Sequence, residues 1–382
     1  MRILAIETSC DETAISLLQT NDGKTFDVLA HEISSQIDVH KEWGGVVPML
    51  AKREHLINLP LMLEKVLPDL TPSTSQPVPD LIAVTYGPGL EPALWTGILF
   101  AKDLANKWNV PLVATDHMAG HIYSALLKPQ TSKIQSSTKP QDPNLNLSFE
   151  LCDLSFPAVA LLISGGHTEL VLLKDLNSFE IKGRTRDDAV GEAFDKVARI
   201  LGLPYPGGPE ISKLAEKYQL SKLKAQPNPK IQLPRPMIHS KDLDFSFSGL
   251  KTAVLYLVKK ITEENKRELM DDEKIEIAHE FEQAVTEVLI SKTVDAINKY
   301  ETKSLLVGGG VIANKTIREA LRVQTPKPLA LHLPDNRFTG DNATMIGIAA
   351  YLHSKRGTAN LLPPNSPELE ALKATGNLSL YN

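Results

Sequence analysis

The feature that most narrows the fold of this chain is a hairpin written twice. Residues Arg2 to Leu18 run as an apolar strand, a polar tip carrying Asp11 and Glu12, and a second apolar strand. Residues Ala158 to Lys174 repeat that grammar, with Ser164-Gly165-Gly166-His167-Thr168 at the tip. One supersecondary unit recurring this far along the chain predicts a duplicated architecture.

Around the hairpins, strand-like and helix-like segments alternate. A strand is predicted over Val28 to Ile33 and a helix over Pro48 to Val66, followed by a Pro- and Ser-rich connector from Pro68 to Pro79. A buried strand, Leu81 to Thr85, runs into Tyr86-Gly87-Pro88-Gly89-Leu90, a turn whose glycines permit positive φ and expose backbone amides. A helix to Trp108, a strand Pro111 to Ala114 and a helix opening at Asp116 follow. The second half predicts helices over Ala189 to Leu201, Gly249 to Lys260 and Asp271 to Lys299, a strand Ser304 to Val307 and a final helix from Asp341. This alternation marks an α/β fold with a largely parallel or mixed sheet.

With 382 residues, 42% of them hydrophobic, the chain can bury a sizeable core in two domains or lobes. No apolar run is long enough to span a membrane, and the N-terminal strand turns polar at Glu7 too soon for a secretory signal, so the expectation is a cytoplasmic protein without a membrane partner. Cys10 and Cys152 lack metal-ligand spacing and read as plain thiols. A net charge of -5 excludes coating nucleic acid by bulk electrostatics. RNA contact must then be local or shared with a partner. The local candidate is the run Lys213, Lys217, Lys222, Lys224, Lys230, Arg235 and Lys241, whose alternative is a solvated charged surface.

His117 and His121, at a helix start, share one helical face and can reach one metal ion; a packed or solvent-facing pair is the alternative. Met118 stands where a zinc-helix protease needs glutamate, which disfavours that chemistry. Asp341 and Asn342 open a helix, where Asp commonly serves as an N-cap. If two lobes face one another, Asp341 can complete a two-histidine, one-carboxylate site suited to ferrous iron or zinc. The glycine clusters Ser164-Gly165-Gly166, Gly207-Gly208 and Gly308-Gly309-Gly310 let backbone approach a phosphate or adenosine closely. Such clusters, with two polar-tipped hairpins and no Walker-type loop, point to the actin, Hsp70 and sugar-kinase superfamily, which grips a nucleotide between lobes. The expected segments are an N-terminal lobe at 1–127 joined by the C-terminal helix near 341–357, a flexible insertion at 128–156, a C-terminal lobe at 157–340 and an irregular tail at 358–382.

Several motifs in one order then carry a resemblance to a family. Ile6-Glu-Thr-Ser-Cys-Asp-Glu-Thr13, Gly44-Gly-Val-Val-Pro48, Gly87-Pro-Gly-Leu90, His117-Met-Ala-Gly-His121, Ser164-Gly-Gly-His-Thr168, Gly191-Glu-Ala-Phe-Asp-Lys196, Tyr205-Pro-Gly-Gly-Pro209, Asp244-Phe-Ser-Phe-Ser-Gly-Leu-Lys251 and Asp341-Asn342 resemble the TsaD family of tRNA threonylcarbamoyltransferases along nearly the whole chain. The resemblance implies an actin-like two-lobe fold and one metal ion, Fe2+ with Zn2+ as the alternative, on His117, His121 and Asp341. It implies donor contacts from Leu162, Ile163, Ser164, Gly165, Gly166, Asp195, Gly208 and Asn314. The implied reaction moves threonylcarbamoyl from threonylcarbamoyl-adenylate to N6 of the adenosine 3′ to the anticodon (position 37) in tRNAs reading codons that begin with adenosine, with AMP released. Asp11 and Glu12 are the candidates for orienting or deprotonating the amine, against the alternative that they only order the turn. Implied companions are a TsaC-type synthase, a paralogous TsaB-type subunit and a small TsaE-type ATPase. A non-catalytic scaffold subunit and a kinase of the same superfamily are the competing readings.

Overall fold

The computed structural model describes residues 1–68, 78–130, 147–176, 178–222, 231–355, 357 and 361–380. Its contacts divide the chain into two units, Met1–Leu154 with Leu333–Asn382, and Ser155–His332. The second unit ends before the expected boundary at 340, because its sheet closes with a strand at Ala330–His332.

In the first unit the apolar runs become β1 (Arg2–Glu7), β2 (Glu12–Gln19), β3 (Thr25–Ser35), β4 (Leu81–Gly87) and β5 (Leu112–Asp116). β1 pairs antiparallel with β2 and parallel with β4, β2 antiparallel with β3, and β4 parallel with β5. The helices are α1 (Ile37–His40), α2 (Pro48–Val66), α3 (Glu91–Trp108) and α4 (His117–Ser124). β1 and β4 are buried along nearly their whole length, and their central residues, Ile3 to Ile6 and Leu81 to Val84, are apolar throughout. The segment expected to be a flexible insertion begins and ends as structure: β6 (Leu127–Pro129) and β7 (Leu147–Leu151) pair antiparallel, and β7 also pairs with β3. The open edge of β3 offers unpaired backbone groups that recruit them. Residues 131–146 between them, and the connector at 69–77, lie outside the described residues.

The second unit runs β8 (Ala158–Ile163), β9 (Thr168–Asp175), β10 (Ser178–Arg184), α5 (Val190–Ile200), α6 (Gly207–Lys222), α7 (Ser248–Asn265), α8 (Asp271–Lys299), β11 (Ser304–Gly308), α9 (Lys315–Gln324) and β12 (Ala330–His332). Its sheet order is β10-β9-β8-β11-β12, antiparallel up to β8 and parallel beyond it. The first unit contains the same arrangement as β3-β2-β1-β4-β5. The twin hairpins are the first two strands of this repeated five-strand pattern.

The chain then returns to the first unit with α10 (Ala343–Lys355), β13 (Leu361–Leu362) and α11 (Pro367–Ala371). Residues Ala343 to Leu352 of α10 are buried, packed on β1, β2, β4, β5 and α4. A Cβ at Gly347 would stand 2.5 Å from Leu18 Cδ1 and 3.2 Å from Ala5 Cβ, so the absence of a side chain there eases the close packing of the helix on the sheet. The expected irregular tail is in fact ordered over its described residues. β13 pairs with β5, Leu369 is buried in the first unit's core, and Lys102 Nζ donates to the carbonyls of Glu370 (2.8 Å) and Leu372 (3.0 Å). Elements this short carry no readable periodicity.

Candidate cation and nucleotide sites

α4 begins where β5 ends. The Asp116 carboxylate accepts from the backbone N–H groups of Met118 (2.7 Å) and Ala119 (3.0 Å), an N-cap that sets His117 and His121 on one face. At the start of α10 the capping is done by Asn342, whose Oδ1 accepts from Met345 N (3.0 Å). Asp341 is thereby left to the imidazoles: its Oδ1 lies 3.2 Å from His121 Nε2 and 3.4 Å from His117 Nε2. One ligand atom from each of the three residues lies within 4.8 Å of the others. Asp341 does not have to arrive from a facing lobe, because α10 packs against α4 inside the first unit.

A fourth residue, Glu7, stands behind them and is absent from the candidates that the sequence marks. It closes β1, is 0% exposed, and its Oε2 lies 3.1 Å from His117 Nδ1 while also accepting from Thr85 Oγ1. The signal available was a carboxylate ending an apolar strand beside a polar tip. A carboxylate on one ring nitrogen fixes the imidazole and directs the other nitrogen outward, the common arrangement behind metal-binding histidines.

Burial is the strongest single influence on the carboxyls of Glu7 and Asp341 and would raise them, but the charge of His117 together with the hydrogen bonds each carboxylate accepts holds both below their usual range. Burial likewise pulls His117 down, and the charges of Asp341 and Glu7 overcome it, so His117 titrates well above an ordinary histidine. His121 is lowered, chiefly by burial. Two buried carboxylates thus hold a proton on His117 where a cation would satisfy them, and two imidazoles with a carboxylate form a donor set suited to iron- or zinc-type ions. The residues fit a single divalent ion. Such an ion must displace the His117 proton, so its affinity is expected to fall as pH falls below the raised His117 pKa. Titration calorimetry in buffers of different ionisation enthalpy should detect about one proton released; an affinity independent of pH would contradict this charge assignment.

Asp11 and Glu12 occupy the tip of the first hairpin, over a buried polar network. His55 Nε2–H donates to the Cys10 carbonyl (3.0 Å), which leaves Nδ1 to accept from Thr13 Oγ1 (2.7 Å) and Gln36 Nε2 (3.2 Å). Gln36 N donates to the Asp11 carbonyl (2.9 Å), and Gln36 Oε1 accepts from His40 Nε2 (3.1 Å). Val47 N donates to His40 Nδ1 (3.4 Å), which ties the Gly44–Pro48 motif to this tip. Burial, then the charges of Asp11 and Asp341, raise Glu12 well above an ordinary glutamate, so it keeps its proton to higher pH.

In the second unit a cavity of about 480 Å³ brings together four of the predicted donor residues, Gly165, Asp195, Gly208 and Asn314. Leu162 and Ile163 are instead fully buried in β8, and the Ile163 carbonyl abuts Gly309, where a Cβ would come within 2.3 Å and φ is +97°. Ser164 shapes the tip, its Oγ accepting from Gly166 N (3.3 Å) and His167 N (3.0 Å). The glycines Gly207 and Gly208 of the Tyr205–Pro209 motif open α6, anchored by Gly207 N donating to Asp195 Oδ1 (2.7 Å). Ser212, Glu282 and Thr316 line the same cavity and carried no signal in the sequence.

One expectation fails. The amides of the Gly87–Leu90 turn are not open: Gly89 N donates to the Gly376 carbonyl (3.1 Å) and Leu90 N to the Ser9 carbonyl (2.8 Å), so the C-terminal segment and the first hairpin consume them. The basic run is also partly spent internally. Arg235 pairs with Glu280 and with Glu287 (2.7 Å), and Lys213 with Glu210, while Lys224 and Lys230 lie outside the described residues.

A five-strand pattern used twice, with a glycine-walled cavity in one copy and a histidine–carboxylate cluster in the other, defines an actin-like α/β protein. The fold is shared by full-length HypF in its phosphate- and nucleotide-bound form (TM-score 0.51, 12% identity, 93% of this chain and 46% of that one) and by T. kodakarensis HypF (TM-score 0.50, 14% identity, 94% and 48%). This chain spans about half the length of those proteins. It belongs to the TsaD family, whose model, described as tRNA N6-adenosine threonylcarbamoyltransferase, matches residues 27–137 and 145–348. Relatives bearing that name are 42% identical in Thermosipho africanus (94% of this chain, 96% of the relative), 44% in Thermosipho melanesiensis (92% and 94%) and 43% in Burkholderia lata (93% of each).

Proposed function

We propose that this chain transfers threonylcarbamoyl from threonylcarbamoyl-adenylate to N6 of the adenosine 3′ to the anticodon, in tRNAs reading codons that begin with adenosine. The observation that carries this reading within the TsaD family is the buried cluster of His117, His121 and Asp341, which a purely scaffolding subunit would not need. In the reaction the adenosine amine attacks the carbamoyl carbon, the bond from that carbon to the phosphate oxygen breaks, and AMP leaves with the electron pair. Asp11 and Glu12 orient the amine, and the ionised carboxylate of the pair receives its proton. The donor is already an activated mixed anhydride, so the protein's task is orientation and stabilisation of developing charge. Gly165, Asp195, Gly208 and Asn314 hold the adenosine of the donor, on a strand and tip built from Leu162, Ile163, Ser164 and Gly166. His117, His121 and Asp341 would hold one divalent ion, Fe2+ or Zn2+ in its place, which would supply Lewis acidity. The test is AMP release from threonylcarbamoyl-adenylate that requires unmodified tRNA; ADP formed from ATP and a free metabolite would favour the kinase reading instead.

A TsaC-type synthase supplies the donor, and TsaB-type and TsaE-type partners support transfer in the cytoplasm. Among the described residues no helix is long and apolar enough to cross a membrane. A net charge of -5 favours shared rather than solitary tRNA binding. The docking surface for the TsaB-type subunit is α2, which is apolar on two faces: Ala51, Leu59, Met62 and Val66 are buried, while Met49, Leu56, Ile57 and Leu61 stay exposed. Exposed apolar side chains grouped on one helix mark a contact surface. Leu56→Glu is expected to weaken co-purification with that subunit by roughly 10-fold or more, the effect of losing a buried anchor, without changing the ion content; unchanged association would remove α2 from the interface.

A further inference from the structure

The wall of the second unit's cavity has a hydrogen-bond polarity, and one residue sets it. Glu282, on α8 and 2% exposed, takes up the donors around it. Its Oε1 accepts from Ser212 Oγ (2.9 Å) and Asn314 Nδ2 (2.7 Å), and its Oε2 from Thr316 Oγ1 (2.8 Å). Asn314 Nδ2 also donates to Ser212 Oγ (2.8 Å), while Asn314 Oδ1 accepts from Ile317 N (2.9 Å) as the cap of α9, which fixes the orientation of the amide. The hydroxyl protons of Ser212 and Thr316 and the amide protons of Asn314 are thus spent inside the wall. Within this buried group what is left for a ligand is acceptor capacity, in lone pairs of Ser212, Thr316 and Glu282, while the Asp195 carboxylate and the Lys213 and Lys315 side chains line other parts of the same cavity.

We infer that Glu282 is a positioning residue that makes this wall select ligand groups which donate hydrogen bonds: an exocyclic amine of the base or the hydroxyls of the ribose. This rests on the reading of the cavity as the donor's adenosine site. A carbonyl placed against the wall would set acceptor against acceptor, and a missing hydroxyl would leave buried lone pairs unpaired. In Glu282→Gln the new amide can donate to Thr316, whose hydroxyl proton then turns toward the ligand, so the wall loses its single polarity.

The test is calorimetric titration of the full chain with AMP, IMP, 2′-deoxy-AMP and 3′-deoxy-AMP. IMP exchanges the amine for a carbonyl; the deoxy compounds remove one hydroxyl each, so the analogue that suffers identifies the group facing the wall. AMP should bind ~10-fold or more tightly than at least one analogue, as expected of a site built to pair a particular donor. Glu282→Gln should narrow that ratio several-fold, and so should Ser212→Ala, which removes one acceptor and guards against a Gln variant that does not fold. Equal affinities for all four nucleotides, or a ratio unchanged in the variants while AMP still binds, would overturn the inference and leave the adenosine reading standing. Failure of the wild-type chain to bind AMP would remove both.

Discussion

Asp341→Ala is expected to strip the bound ion and lower transfer by at least roughly 100-fold, because even a partner one bond further out from a metal typically costs 10–100-fold. Asp341 Oδ1 is the atom that both imidazole Nε2 atoms face, and removing it leaves His117 paired only with Glu7. Breaking a buried charge pair from one side also costs about 3–5 kcal/mol of folding stability. Asp341→Asn keeps the shape while removing the charge and should lose the ion with less damage to the fold. Metal analysis, the transfer rate and the thermal midpoint of both variants separate these effects. An Asp341→Asn protein that retains its full ion content would show that the cluster does not hold the ion.

Asp11→Asn should lower transfer by about 10²–10⁴-fold, the usual contribution of a positioned acid or base, and leave ion content and AMP affinity as they were. The hairpin tip survives this change because its backbone is held by His55 and Gln36, neither of which bonds the Asp11 carboxylate. Glu12→Gln is the companion variant, since Glu12 is the carboxyl that burial, with the charges of Asp11 and Asp341, raises well above an ordinary glutamate. If transfer by both variants equals that of the wild type, the two carboxyls only order the turn.

What the sequence revealed here follows from the range of the physics involved. The doubled hairpin was legible because strands covered on both faces write near-continuous apolar runs, and His117 and His121 because one helical turn aligns them. The histidine pair needed Asp341, which is separated from His121 by 220 positions, and the sequence alone could not decide between its roles as cap and ligand. In the structure Asn342 caps α10, and Asp341 Oδ1 faces the two imidazoles. Glu7 was hidden because its partner His117 lies 110 positions away. Glu282 was hidden inside a long helix whose carboxylates look alike until Ser212, Asn314 and Thr316 are folded against one of them. The Gly87–Leu90 turn misled for the converse reason: its amides looked free until the C-terminal segment was seen to occupy them.

The central claim is tested most directly by nucleoside analysis of unmodified tRNA incubated with labelled threonine, the adenylate-forming synthase and the partner subunits, with and without this chain. Labelled threonylcarbamoyladenosine beside the anticodon that requires this chain, and is lost with His117→Ala, is the predicted result. Label that forms equally well with the His117→Ala protein, or never forms with the wild type under any combination of partners, would contradict it.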